Sequence, residues 1–189
     1  MSTETIYIKN MVCDRCIKVV KDELEKLDLK VKEIRLGEVI IESEKPVNHN
    51  KLQEILSPLG FDLLEDKTVR IIDRIKTLII EMIHYGKELK SGENISDFLA
   101  REIGKDYNSL SSLFSGIENI TIEKFVILQK IEKVKEFLFY NELTLSEIAY
   151  KLGYSSVAHL SSQFKQVTGM TPSEFKKSKG NLRKPLDQV

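Results

Sequence analysis

The stretch Leu145–Phe175, LSEIAYKLGYSSVAHLSSQFKQVTGMTPSEF, decides the fold of the carboxyl-terminal half of the chain. Apolar residues recur every three or four positions on both sides of Gly153, and this spacing predicts two helices. Gly153 is the expected left-handed residue between them, because glycine adopts that conformation without steric cost. Two helices joined by a short glycine turn, with small polar residues on the outer face of the second, are typical of proteins that place side chains in the DNA major groove.

Capping residues mark the ends of these helices. Ser146 is the expected cap of the first helix, and Ser155 or Ser156 is the expected cap of the second. Gly169 ends the second helix, and Thr171-Pro172 opens a third because proline suits a first helical turn. The stretch therefore predicts three consecutive helices.

The same residues resemble the second helix-turn-helix of the AraC/XylS family of bacterial transcription regulators. That family has isoleucine-alanine in the first helix, a glycine-aromatic turn, phenylalanine-lysine in the second helix and threonine-proline before the third. The matching positions are Ile148, Ala149, Gly153, Tyr154, Leu160, Phe164, Lys165, Gly169, Thr171, Pro172 and Phe175. The resemblance extends over roughly residues 71–177 and implies two helix-turn-helix units in one chain.

An earlier pair of helices fits the first of those two units. Helices are predicted at Ile95–Ile103 and Tyr107–Phe114, with Gly104 between them and Asn94 or Ser96 as the first cap. A long helix at Thr121–Tyr140 matches the family's connecting helix in position and length, and a packed helix is predicted over Lys67–Lys90. The chain departs from the family where basic residues are usual, at Ser115, Gly116, Ile117 and Glu118.

The resemblance also implies which side chains of the second helix-turn-helix contact DNA. Val157 and Ala158 are placed to meet thymine methyl groups, whereas His159 and Ser162 are placed to hydrogen-bond base edges. Lys165 and the start of the helix at Ser156 are placed to hold phosphate.

Asn108, Ser111 and Ser112 occupy the equivalent places in the first helix-turn-helix, and Asn108 can pair with adenine through two hydrogen bonds. Neither recognition helix carries arginine, so readout should rest on small polar contacts, methyl packing and DNA shape. Two units in major grooves one turn apart imply a site of about 20 base pairs.

The amino-terminal residues alternate between strand-like and helix-like segments. Strands are predicted at Thr5–Lys9, Leu29–Leu36 and Glu38–Ser43 and from Gly60 onward, and helices at Ile17–Leu27 and His49–Leu59. The order βαββαβ is a ferredoxin-like plan. Together with the loop Met11-Val12-Cys13-Asp14-Arg15-Cys16, it resembles the heavy-metal-associated domain of copper chaperones and metal-pumping ATPases over roughly residues 3–66.

Cys13 and Cys16 are the only two cysteines of the chain. A loop that leads into a helix start lets both sulfurs converge on one ion, and the helix dipole favours the thiolate form. Two thiolates alone suit a soft ion such as Cu(I), whereas structural zinc normally has four ligands. In members of this family that bind zinc or cadmium, the position of Val12 holds an acidic residue. The position of Asn10 usually holds glycine in the family.

Two other uses of the cysteines stay open. A redox pair also has the C-x-x-C spacing, although Asp14-Arg15 between the cysteines does not resemble the usual redox motif. The domain can also keep its fold for dimerisation alone. A lasting disulfide is not expected in a reducing cytoplasm. Metal binding is the favoured reading.

Composition and charge bound the function classes. The chain has 189 residues, of which 41% are apolar and 31% charged, as in folded globular proteins. Its formal net charge is zero, which is unusual for a DNA-binding protein, but residues 145–189 hold seven basic against three acidic residues. No constellation of catalytic residues stands out, so no enzymatic activity is expected. The start MSTETIYIKN lacks the plan of a secretory signal, which predicts a cytoplasmic protein.

These patterns predict an α+β protein in three parts. A ferredoxin-like βαββαβ domain of heavy-metal-associated type is expected at residues 1–66, an AraC-type double helix-turn-helix domain at residues 67–179, and a flexible tail at residues 180–189. The predicted function is transcription regulation through specific binding of double-stranded DNA, with a response to a soft metal such as Cu(I). RNA polymerase is a further expected partner if the protein activates transcription. The patterns leave open whether the chain forms a homodimer. Membrane binding is not expected. The alternative is a metal-trafficking or interaction module whose helices do not bind DNA specifically.

Overall fold

The computed structural model describes residues 2–44, 46–90, 92–178 and 184–189. The amino-terminal elements are β1 (Ser2–Lys9), α1 (Asp14–Lys26), β2 (Lys30–Arg35), β3 (Glu38–Ser43), α2 (His49–Leu56) and β4 (Asp62–Leu63). The helices that follow are α3 (Lys67–His84), α4 (Ile95–Ile103), α5 (Tyr107–Glu118), α6 (Ile122–Tyr140), α7 (Leu145–Lys151), α8 (Val157–Thr168) and α9 (Pro172–Lys177). Short 3-10 turns lie at Ser57–Leu59 and Leu186–Gln188.

The chain folds into two compact units that are not contiguous in sequence. The amino-terminal unit consists of Met1–Glu81 and Leu89–Leu113. The carboxyl-terminal unit consists of Met82–Glu88 and Phe114–Val189. Helices α3 and α5 each contribute residues to both units.

The amino-terminal unit is built on a small antiparallel sheet with the strand order β2-β3-β1-β4. β1 pairs along its length with β3, from Ser2 opposite Ser43 to Tyr7 opposite Glu38, and only its last two residues pair with β4. Alternate residues of β1 point to opposite faces, so Ile6 and Ile8 are buried. They pack in one core with apolar residues of α1 and α2, among them Val20, Leu24, Leu52 and Leu56.

Helix α3 is shorter than the predicted span Lys67–Lys90. It begins where the carboxylate of Asp66 accepts hydrogen bonds from the backbone N–H groups of Thr68, at 2.7 Å, and Val69, at 3.2 Å. These bonds lower the pKa of Asp66. The helix ends at His84, just before Gly86 takes a φ of +72°. A left-handed glycine after the last turn is a common helix stop, and this explains the earlier end.

Helix α6 is the centre of the carboxyl-terminal unit. Its apolar residues Ile131, Val134 and Leu138 share a core with residues of α7, α8 and α9, among them Ile148, Leu160, Phe164 and Phe175. The helix also buries polar groups, and these are paired. Lys135 Nζ lies 2.5 Å from Glu132 Oε1, and His84 Nε2 lies 3.0 Å from Gln129 Oε1.

The predicted flexible tail at residues 180–189 falls partly outside the described residues, which omit 179–183. The part that is described makes hydrogen bonds to α6, and its flexibility stays a prediction. The backbone N–H of Lys184 donates to Glu132 Oε2 at 3.1 Å, and Gln129 Nε2 donates to the carbonyl of Leu186 at 3.2 Å.

Several helix starts differ from the predicted residues. Thr144, and not Ser146, caps α7, because Thr144 Oγ1 accepts from the N–H of Glu147 while Glu147 Oε2 accepts from the N–H of Thr144. The start of α4 agrees with the prediction, because Asn94, one of the two predicted caps, is its cap residue. Helix α1 begins at Asp14, three residues earlier than predicted, with Cys13 as its cap residue. Helix α5 continues past Phe114 to Glu118.

Within the described ranges, none of the helices combines the length and apolar composition needed to cross a lipid bilayer.

Candidate functional site

The second helix-turn-helix is held by a closed turn between α7 and α8. The backbone N–H of Leu152 donates to the carbonyl of Ile148 at 3.0 Å, and that of Tyr154 donates to Ala149 at 2.8 Å. Gly153 between them has a φ of +68°, which confirms the predicted left-handed residue. Ile148 and Ala149 are buried on one side of the turn, so α7 is fixed against the core.

Helix α8 starts at Ser156, one of the two predicted caps. The Ser156 hydroxyl accepts a hydrogen bond from the backbone N–H of His159 at 3.0 Å. Leu160 and Phe164 are fully buried one turn apart, and this determines which face of the helix points outward. The exposed positions on that outer face are Ala158, His159, Ser162 and Lys165.

Val157 does not belong to that exposed face. Its side chain is half-buried and packs against the core of the carboxyl-terminal unit. The contact of Val157 with a thymine methyl stays a prediction, and only part of its side chain is accessible for it. Ala158 is the neighbouring small apolar side chain that stays exposed.

His159 is held in place by two residues of the preceding turn, Tyr154 and Ser155. Its ring meets the Tyr154 ring edge-on, with centroids 5.4 Å apart, and its Nδ1 lies 3.1 Å from Ser155 Oγ. The Tyr154 hydroxyl donates to Gln163 Oε1 at 2.8 Å. Burial raises the pKa of Tyr154 to about 12, so this phenol stays a neutral donor. The aromatic residue after the turn glycine was the only sequence signal for this arrangement.

Lys130 of α6 supports the same tyrosine. Its Nζ lies 5.4 Å from the centroid of the Tyr154 ring, within the range of a cation–π contact. Burial lowers the pKa of Lys130. The recognition helix and the connecting helix are therefore linked through one aromatic ring.

The first helix-turn-helix has the same plan. Gly104 ends α4 with a φ of +72°, and its N–H donates to the carbonyl of Ala100 at 2.9 Å. Asp106 caps α5 by accepting the N–H of Ser109 at 2.9 Å and its hydroxyl at 2.6 Å. Those two bonds lower the pKa of Asp106, so an acidic cap stands where α8 has Ser156.

Of the predicted contact residues on α5, Asn108 and Ser112 are exposed. Ser111 is half-buried, because it falls next to the buried stripe of Leu110 and Phe114, and its contact with DNA stays a prediction. Ser109 is exposed in the first turn and was missed by the sequence analysis. It corresponds to His159, since both lie three residues after the cap.

The two cysteines form a second candidate site in the amino-terminal unit. Cys13 Sγ and Cys16 Sγ lie 3.2 Å apart, and both side chains are half-buried. Burial and the contact with Cys13 raise the pKa of the Cys16 thiol, and they outweigh the backbone hydrogen bonds that lower it. Among the residues described, no cluster of three or more His, Cys, Asp or Glu side chains is placed to hold a metal ion.

The loop before the cysteines tolerates asparagine where glycine was expected. Asn10 has a φ of +68°, a left-handed conformation that asparagine adopts more readily than most residues. Its Nδ2 donates to the carbonyl of Gly60 at 2.9 Å. Met11 is almost fully buried in the core beneath the loop.

Comparison with known proteins identifies the class of the helical part. Residues 99–178 match the family described as a helix-turn-helix domain. The HTH-type transcriptional regulator ExsA of Pseudomonas aeruginosa is 25% identical over 141 residues, which cover 70% of this chain and 48% of that protein. YtdP of Bacillus subtilis, an HTH-type transcriptional regulator, is 28% identical over 104 residues, which cover 55% of this chain and 13% of YtdP.

Among solved structures, the C-terminal domain of AraT, a response regulator from Geobacillus stearothermophilus, aligns with a TM-score of 0.50 at 20% identity. The alignment covers 63% of this chain and 95% of that domain. Residues 99–178 thus form a helix-turn-helix domain, and the proteins that this part of the chain is similar to are transcription regulators. It spans about half the length of ExsA and a smaller share of YtdP.

Proposed function

We propose that this protein regulates transcription by binding double-stranded DNA through its two helix-turn-helix units. The observation that carries the proposal is the outer face of α8. A helix locked by a glycine turn and two buried aromatic or aliphatic anchors presents exposed His159, Ser162 and Lys165. Rigid placement of a few polar groups is what reading base edges in a major groove requires.

The roles of these side chains follow from their chemistry. His159 and Ser162 can hydrogen-bond base edges, and Ala158 is small enough to contact a thymine methyl. Lys165 supplies a positive charge for phosphate, and the free amides at the start of α8 add donors there. On α5, Asn108 and Ser112 would act in the same way.

The absence of arginine from α5 and α8 has a consequence for specificity. Arginine is the usual bidentate reader of guanine, so each base pair would be discriminated weakly by direct contacts. We expect DNA shape and deformability to supply a larger share of the sequence specificity, over a site of about 20 base pairs.

Substitution of Lys165 tests DNA binding. We expect Lys165→Glu to abolish binding to a fluorescent duplex selected from random sequence by the full-length protein, because a phosphate contact is replaced by repulsion. The milder Lys165→Gln should lower the slope of log K against log salt by about one. Lys18→Gln, on the exposed face of α1, is the matched control and should bind like the wild type. Undiminished binding by Lys165→Glu would favour the alternative of a trafficking or interaction module.

A second candidate function rests on the cysteine pair. The observed strand order β2-β3-β1-β4 and the order of elements suit a ferredoxin-like domain of heavy-metal-associated type. The two sulfurs face each other at a helix start, and this donor set fits a soft ion such as Cu(I), held by Cys13 and Cys16 alone. Such an ion would couple metal availability to regulation, and it would deprotonate both thiols on binding.

The metal proposal is tested by titrating the reduced full-length protein with Cu(I) against a competing chelator. We expect one ion per chain, with binding lost in Cys13→Ser/Cys16→Ser and kept in Asp14→Asn. Binding that survives the double substitution would place the ion elsewhere and end the proposal. DNA binding is measured separately on the same variants, so the two functions succeed or fail independently.

A further inference from the structure

The amino-terminal unit contains a cavity of about 480 Å³ between the β2–β3 turn and helix α3. This volume lies within the usual range for small-molecule sites. The turn and the helix approach closely, since a Cβ on Gly37 would lie 3.3 Å from Asp73 Oδ2 and 3.6 Å from Thr77 Oγ1. Neither the helix-turn-helix contacts nor the cysteine pair uses this cavity.

Three cationic side chains of α3 line the cavity at helical spacing, Lys67, Arg70 and Arg74. Arg70 is fixed from two directions. Its Nε donates to the carbonyl of Leu64 at 2.7 Å, and its guanidinium carbon lies 4.6 Å from the centroid of the Tyr7 ring. A guanidinium held in this way is preorganised to receive an anion on its remaining N–H groups.

Arg74 supplies the observation that points to a ligand. Its Nη1 is buried and has no hydrogen-bond acceptor among the described residues. Buried polar groups are nearly always hydrogen-bonded, and a charged donor without an acceptor is especially costly. An anionic group inside the cavity would provide that acceptor.

The carboxylates that line the cavity do not cancel this charge. Glu38 pairs with Arg35, whose Nη2 lies 2.8 Å from Glu38 Oε2, and Glu102 pairs with Arg101. Asp73 is the one further acidic group on the lining, so the lining holds four basic and three acidic side chains. Apolar walls complete it, formed by Leu36, Leu64, Ile71 and Ile103.

We propose that this cavity is a binding site for a small amphipathic anion, a carboxylate or sulfonate carried on an apolar ring. The anionic head would bind between Arg70 and Arg74, and the ring would lie against the leucine and isoleucine walls. Lys67 at the exposed end of the row would add long-range attraction. The site belongs to the amino-terminal unit and does not depend on DNA binding.

The probe that matches this chemistry is 8-anilinonaphthalene-1-sulfonate, an aromatic sulfonate that fluoresces in apolar surroundings. We expect the full-length protein to bind one molecule saturably, with competition by benzoate. Arg74→Met should weaken binding about tenfold or more, because a charge-assisted hydrogen bond is lost. Lys67→Met, at an exposed position, should weaken it less without disturbing the fold.

Arg15→Met is the matched control, since Arg15 is exposed on α1 and does not line the cavity. Thermal unfolding of each variant identifies any loss of fold, and Arg74→Lys should retain part of the affinity. Equal probe binding by the wild type, Arg74→Met and Lys67→Met would show a non-specific apolar contact and overturn the proposal. Absence of saturable binding to the wild type would also overturn it.

Discussion

Thr144 caps α7, the first helix of the second helix-turn-helix, through two reciprocal hydrogen bonds with Glu147. Its hydroxyl accepts from the N–H of Glu147 at 3.3 Å, and Glu147 Oε2 accepts from the N–H of Thr144 at 2.7 Å. The bond from the Thr144 side chain also lowers the pKa of Glu147. Two backbone donors at the helix start are thereby satisfied by one reciprocal contact.

We expect Thr144→Ala to lower the free energy of unfolding by about 1 kcal/mol, the usual cost of losing a helix cap. The measurement is urea unfolding followed by circular dichroism. Ser146→Ala is the control, since Ser146 lies two residues inside the helix and should change stability by less than about 0.5 kcal/mol. A larger loss for Ser146→Ala than for Thr144→Ala would contradict the assignment of the cap.

Gly153 and Gly116 differ in backbone conformation although neither is crowded. Gly153 has a φ of +68°, and an added Cβ would meet only Lys130 Nζ at 3.9 Å. Gly116 lies inside helix α5, where a Cβ would meet nothing within 4 Å. Alanine therefore tests conformation at both positions with little change in packing.

We expect Gly153→Ala to destabilise the protein by about 1 kcal/mol, because alanine is strained at positive φ. Gly116→Ala should instead stabilise it by roughly 0.5–1 kcal/mol, because alanine is the better helix former. Thermal unfolding of the two variants beside the wild type measures both changes. Shifts of the same sign would contradict the left-handed conformation of the turn.

At the scale of elements, the loop before α4 is tied to that helix by a two-pronged ion pair. Arg101 Nε and Nη2 lie 2.8 and 3.1 Å from the two carboxylate oxygens of Glu93. The hydrogen bonds from Arg101 lower the pKa of Glu93 to about 2. Because the folded protein holds Glu93 ionised more strongly than the unfolded chain does, this pair stabilises the fold above the ordinary pKa of 4.5 and loses its effect as the pH falls toward 2.

We therefore expect the free energy of unfolding of Arg101→Gln to fall less at acidic pH than that of the wild type. The difference in unfolding free energy between the wild type and Arg101→Gln should be largest near pH 5 and should shrink as the pH is lowered toward 2. Urea unfolding at several pH values measures this difference. Arg15→Gln, at an exposed position with no such pair to another described residue, should give a difference that does not vary with pH.

The amphipathic elements were predictable from sequence, while their ends and side-chain neighbours were less so. The periodicity of apolar residues located α4 through α9 and the strands of the sheet, because burial of one face dominates local preference. The preference of single residues predicts Ser146 as the cap of α7, whereas the reciprocal bonds with Glu147 place the cap at Thr144. The predicted end of α3 at Lys90 is six residues too late, because the charged residues after His84 continue the helical composition past the stop at Gly86.

The candidate site was predicted in part. Lys165, His159, Ser162 and Asn108 are exposed as expected, but Val157 turns inward. The hydrogen bond between Tyr154 and Gln163 was not predicted, because the two residues are nine positions apart and meet only in the folded turn. Contacts between residues far apart in the chain leave no pattern in the local sequence, whereas buried residues of one helix recur at a regular spacing.

At the scale of the whole molecule, the predicted boundary near residue 66 falls inside the amino-terminal unit. Arg70 of α3 is bound to Leu64 and Tyr7 on the other side of that boundary, at 2.7 Å from the Leu64 carbonyl. We expect a fragment of residues 67–189 to melt at a temperature lower by roughly 5 °C or more than the full chain. Scanning calorimetry measures the change, and addition of a separate 1–66 fragment should restore part of it. A fragment as stable as the full chain would show that the boundary is a true division.

The two interleaved units also limit how this protein can be recombined. The backbone passes from one unit to the other three times, between residues 81 and 82, 88 and 89, and 113 and 114. A gene fusion has a single joint, so no one crossover in the coding sequence exchanges a whole unit for that of a relative. A functional chimera would have to carry matched segments on both sides of all three passages, and the two units of this protein would therefore be inherited together.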